Sequence, residues 1–118
     1  MSSLNTTEIT RRVTIRVFAT AEYKPAATMC DRVARAASEQ GDMDIHIIDP
    51  WEQPELVVAD RVIANPTVVV VVDGQEQAHL TGVKSAKRVR RTLEAVRAPR
   101  LAVREAAEYF PAHQLALA

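Results

Sequence analysis

Cysteine is nearly absent from this chain of 118 residues: Cys30 stands alone. A single cysteine excludes an internal disulfide and every Cys-x-x-Cys site. Glycine is almost as scarce, and Gly41, Gly74 and Gly82 lie far apart. No glycine-rich loop is therefore available to cradle a phosphate. Net charge is missing too, with 15 cations against 15 acids. No global field draws such a chain to nucleic acid or to a membrane. No apolar run approaches the ~20 residues that span a bilayer. The first twelve residues are polar and lack the apolar core of a signal peptide. The expectation is a cytoplasmic protein with no membrane segment. His46, His79 and His113 show no metal-ligand spacing, and the acid pairs Asp42/Asp44 and Glu52/Glu55 sit near turns. The sequence thus points to no metal, no cofactor and no catalytic acid–base pair.

What the chain does have is hydrophobic residues at 47% and charged residues at 25%, the balance of one globular domain with one core. Residues 1–11 read as a flexible arm, 12–98 as the domain, and 99–118 as a weakly helical extension. Val13, Ile15 and Val17 alternate with polar residues, which is strand periodicity. Tyr23-Lys24-Pro25 then forms a loop leading into a helix that carries Ala26, Met29, Cys30, Val33 and Ala37 on one side. Pro25 suits its first turn and Gly41 its end. Met43, Ile45 and Ile47 predict a second strand. Pro54 to Ile63 predicts a short helix with Leu56, Ala59 and Ile63 on one side. Val68 to Val72, five valines after Asn65-Pro66-Thr67, predict a strand buried on both faces. Asp73-Gly74 predicts a two-residue hairpin to an antiparallel edge strand over Gln75 to Leu80. Ala86, Val89, Leu93 and Val96 mark a last amphipathic helix.

The order β-α-β-α-β-β-α, with crossovers between the first strands and a hairpin at the end, predicts an α/β fold. Its sheet is mixed and four-stranded, with helices on both faces. That is thioredoxin-like architecture. Folds of this kind place an X-Pro-Thr step before a central apolar strand. Pro66 is accordingly expected to follow a cis bond, facing the Tyr23–Pro25 loop.

A narrower resemblance lies in Ile48-Asp49, Pro54-Glu55-Leu56 and Val62-Ile63-Ala64-Asn65-Pro66-Thr67. These resemble the segment of the KaiB family that joins its second strand to its central one, also present in the KaiB-like sensor domain of SasA histidine kinases. Asn65 stands where KaiB has threonine, and Asp73-Gly74 replaces a longer proline-rich connection. The resemblance implies a regulatory, clock-related protein that docks onto another protein, of the KaiC ATPase class, and that forms homo-oligomers as one option.

In a thioredoxin, the loop after the first strand carries Cys-x-Pro-Cys. Aligned on its proline, this chain has Tyr23-Lys24-Pro25-Ala26 there. Dithiol exchange is chemically unavailable without two thiols. Cys30 reads either as a buried apolar cysteine or as a relocated thiol, the second leaving a single-thiol redox accessory as the alternative function.

Two surfaces compete for a partner. Tyr23, Lys24, Pro25, Asn65, Pro66 and Thr67, with Trp51 near them, gather loops at the carboxyl ends of parallel strands. The last helix holds Lys84, Lys87, Arg88, Arg90, Arg91, Arg97 and Arg100 against Glu94 alone, so residues 84–100 carry +6 and the remainder −6. It reads as a solvated face or as a steering surface through Arg88 and Arg91. Without interleaved aromatics, it is not expected to bind nucleic acid.

Overall fold

The structure, a computed structural model, describes residues 12–97. The expected arm and C-terminal extension, with His113 and Arg100, lie outside the described residues. The elements are β1 (Val13–Phe18), α1 (Lys24–Gln40), β2 (Met43–Ile48), α2 (Pro54–Ala59), β3 (Thr67–Val72), β4 (Gln75–Thr81) and α3 (Ala86–Arg97). The element order is the one the periodicities predict.

The sheet order is β2-β1-β3-β4. β1 and β2 are parallel, whereas β3 runs antiparallel to β1, as does β4 to β3. The direction of β3 corrects the expectation that the first three strands are all joined by crossovers. The chain leaves β2 and enters β3 at the same end of the sheet, so it has only to pass over β1. Residues 49–66 make that passage and contribute one helix of six residues.

Alternation then divides the apolar residues. Val13, Ile15 and Val17 of β1 and Val68, Val70 and Val72 of β3 face α1 and α3. Ala26, Met29 and Val33 of α1, and Val89, Leu93 and Val96 of α3, close over them. The opposite face buries only Phe18, Ile48, Val69 and Val71, with Leu56, Val57 and Val62 packed against them. Helices thus lie on both faces, two on one and one short helix on the other.

Turn chemistry follows the sequence where the signal is local. Asp73 and Gly74 both have positive φ, at 52° and 85°, as a tight two-residue hairpin requires. α2 ends earlier than expected. Arg61 takes φ of 54°, its N–H donates to the Val58 carbonyl at 3.1 Å, and the Val62 N–H donates to that of Val57 at 2.9 Å. This paired closure is a Schellman motif, with an arginine where glycine is usual. The helix therefore stops at Ala59, and Ile63, expected on its inner side, is 86% exposed. Ala59 is exposed as well.

α3 runs alongside α1 in the same sense. The Arg32 guanidinium donates to the Lys84 carbonyl at 2.7 Å near one end. At the other, Arg97 donates to the carbonyls of Gln40 and Gly41 at the end of α1. The last turn of α1 holds no basic residue of its own.

Candidate functional site

One end of the sheet collects the β1–α1 loop, the β2–α2 loop and the segment before β3. Because β3 is reversed, this end joins the carboxyl ends of β1 and β2 to the amino end of β3, which corrects the expected set of parallel carboxyl ends. The Asn65–Pro66 bond is cis, as expected. Asn65 ties the loops together: its side-chain N–H donates to the Thr20 hydroxyl at 2.8 Å, and its carbonyl oxygen accepts from the Thr20 backbone N–H at 3.4 Å. The Gly82 N–H donates to the Pro66 carbonyl at 2.8 Å, fastening the far side.

Not all the residues expected at this site reach its surface. Thr67 is fully buried, and its hydroxyl donates to the Ala64 carbonyl at 2.7 Å. Pro66 is buried beside it. These two form the floor and not the contact surface. Tyr23 stands at the amino end of α1, half-exposed, with Lys24 exposed and Pro25 half-buried after it. Trp51 is 84% exposed. It stands out because the Asp49 carboxylate accepts its backbone N–H at 2.8 Å, a turn that leaves the indole no place in the core.

Trp51 borders an open groove of about 640 Å³ with Pro54, Val57, Val58, Val62 and Ile63. Thr20 and Asn65, the clamp residues, line it too. Val58 and Ile63 are large aliphatics exposed at 76% and 86%. A second hollow, on the other side of Trp51, is lined by Tyr23, Glu22 and Asp49. The site is therefore an apolar trough with two acidic groups beside it. Sequence periodicity misses Val58 and Ile63. The signal lies in adjacent apolar pairs: of Val57-Val58 the short helix can turn only one toward the sheet, and of Val62-Ile63, beyond its end, Val62 packs inward while Ile63 is exposed.

Arg16 anchors the helix that forms the trough. Its Nη1 donates to both carboxylate oxygens of Asp60, at 3.0 and 2.8 Å. Asp60 is largely buried, so the pair pins the end of α2 to the middle of β1.

The basic helix is less uniform than its sequence. Arg97 is committed to the end of α1, and Lys84 is half-buried. Lys87, Arg88, Arg90 and Arg91 are exposed and form no ion pair among the described residues. Cys30 lies on α1, half-buried against the main core, where complete burial was one expectation. Burial pushes its thiol up, and Asp31 pushes it further. His46 is exposed on β2, and His79 lies 3.4 Å from Glu76. Among the described residues, no three His, Cys, Asp or Glu side chains are grouped to hold a metal, and no helix is long and apolar enough to cross a membrane.

Solved structures that superpose on this chain include several thioredoxins. A mutant thioredoxin of Halobacterium salinarum NRC-1 superposes with a TM-score of 0.66 at 21% identity, covering 84% of this chain and 87% of that one. The fold is thioredoxin-like. Thioredoxin of Fasciola hepatica gives 0.64 at 22% identity over 79% of this chain and 88% of its own. That of Trypanosoma brucei brucei gives 0.64 at 18% over 81% and 85%. No protein-family model matches the sequence, and no curated protein matches it.

Proposed function

We propose that this protein is a recognition module on a thioredoxin-like frame, without dithiol chemistry, that regulates another protein by docking through its loop end. The observation that carries this reading is the apolar trough of Trp51, Val58 and Ile63 at the loop end, beside the hollow of Tyr23, the residue that aligns with a thioredoxin's first thiol. The partner chemistry it fits is a large apolar side chain in the trough, with a cation toward Glu22 and Asp49. A KaiC-type ATPase is the partner class that the KaiB resemblance offers, and a clock-related role follows from the same resemblance. Exposed aromatics stand at the loop end and not on the basic helix, which favours a protein over nucleic acid as partner. The raised thiol of Cys30 and its place along α1, away from the loop, weigh against the single-thiol alternative.

Binding kinetics on a purified KaiC-type ATPase test the reading. Trp51→Ala and Tyr23→Ala are expected to speed dissociation about tenfold each. The double change Arg88→Glu with Arg91→Glu is expected to slow association and flatten its salt dependence. Disulfide reduction of insulin should be absent. Reductase turnover that Cys30→Ser abolishes would replace this reading with the redox one. Binding untouched by the loop-end changes but lost on charge reversal would move the interface to α3.

A further inference from the structure

The sheet has two free edges among the described residues, and they are built differently. On the β4 edge the register slips between Val70 and Val71, leaving Gln77 outside the ladder, and Gln75, Glu76 and Gln77 are exposed. Bulges and polar residues of this sort prevent edge-to-edge pairing. The β2 edge has no bulge, and its polar side chains are the exposed Asp44, which lies 3.8 Å from Arg12, and His46. All six of its residues pair with β1 in unbroken register. Its sequence is Met-Asp-Ile-His-Ile-Ile, with Ile47 56% exposed and Met43 and Ile45 only half-buried.

The strand is also complementary to itself. Two copies aligned antiparallel about Ile45 place residues whose numbers mirror around 45 directly opposite one another. Asp44 then faces the partner's His46, an anionic acceptor against an imidazole donor, and symmetry repeats the pair. On the opposite face, Met43 meets the partner's Ile47, and Ile45 meets its own copy. Centring the pairing on Asp44 sets two carboxylates against each other. Centring it on His46 sets Asp44 against the partner's Ile48. Charge therefore selects one register of the three.

We propose that the chain forms a two-fold dimer through its β2 edges, in the register centred on Ile45, extending the sheet to eight strands. The partner is a second copy of this chain. The surface is distinct from the trough and does not rest on the function proposed for it.

Sedimentation over a concentration series, with charge exchange, tests the proposal. Asp44 and His46 are both exposed, so their substitution spares the core. Asp44→Lys is expected to weaken dimerisation about tenfold, and His46→Asp similarly, because each unbalances two symmetry-related pairs. The double variant Asp44→Lys with His46→Asp is expected to restore it. Register is read by cross-linking in a Cys30→Ser background. Ile45→Cys places two thiols on Cα atoms about 4.5–5.5 Å apart, within disulfide reach, and should cross-link under mild oxidation. Ile47→Cys places them about 13 Å apart and should not. A chain that is monomeric up to its solubility limit overturns the proposal. So does a dimer that cross-links through position 47 but not 45, or one indifferent to the charge exchange.

Discussion

The two faces of the sheet are made by alternate residues of the same strands, yet they are finished to different standards. Sixteen buried residues seal the face under α1 and α3, against four on the face under α2. The first face has two helices of 17 and 12 residues, the second one helix of six. Residues 49–66, which pass over β1, supply the second face with that one short helix. What the short helix leaves uncovered becomes the trough. The sealed face carries stability, and the open one carries exposed apolar residues that stability does not need.

Substitutions can break this comparison. The largest effect is expected on the sealed face: Leu93→Ala should cost about 2–5 kcal/mol by the loss of a fully buried side chain and the cavity it leaves. Val62→Ala, on the half-buried side, should cost only about 1 kcal/mol. Denaturant titration of both decides, and equal losses would mean that the two faces are not the different structures described above. Next is the pin between them. Asp60→Ala removes the partner of Arg16, a guanidinium that still reaches water, so a loss of about 1–2 kcal/mol is expected by the same titration.

Most of the sealed face is legible in the sequence. Five valines, an Asp-Gly turn and helix stripes are local patterns, and each fixes its own element. The open face is not, for three physical reasons. Strand direction is set by pairing between residues far apart, so nothing in Val68 to Val72 states which way β3 runs. The end of α2 depends on Arg61 in a left-handed conformation, and an arginine announces no such turn as a glycine would. Ile63 looks like core until the helix expected to carry it is seen to stop at Ala59. Asn65 is visible as a member of the loop end, but its hold on Thr20, 45 residues earlier, is not.

Smaller effects sharpen the contrast. Arg61→Gly removes the cost of a left-handed arginine and should stabilise the protein by about 0.5–1 kcal/mol, read as a raised midpoint with unchanged slope. A lower midpoint would mean that the arginine side chain holds the turn. The smallest effect belongs to the trough itself. Trp51→Ser and Ile63→Ser should each change stability by no more than about 0.5 kcal/mol, since neither side chain is buried. Thermal melts measure this, and a large loss in either would make the trough a piece of core.

Arg97 has a consequence for how the molecule comes apart. It lies at the last described turn of α3 and donates to carbonyls that α1 leaves open, 56 and 57 residues away along the chain. Helix ends ordinarily fray one at a time. Here the C-terminal turns of two helices share a single fastening, so the opening of one releases the other. In amide hydrogen exchange the last turns of α1 and α3 should lose protection together, as one unit, and Arg97→Ala should raise the exchange of α1 amides that arginine never touches.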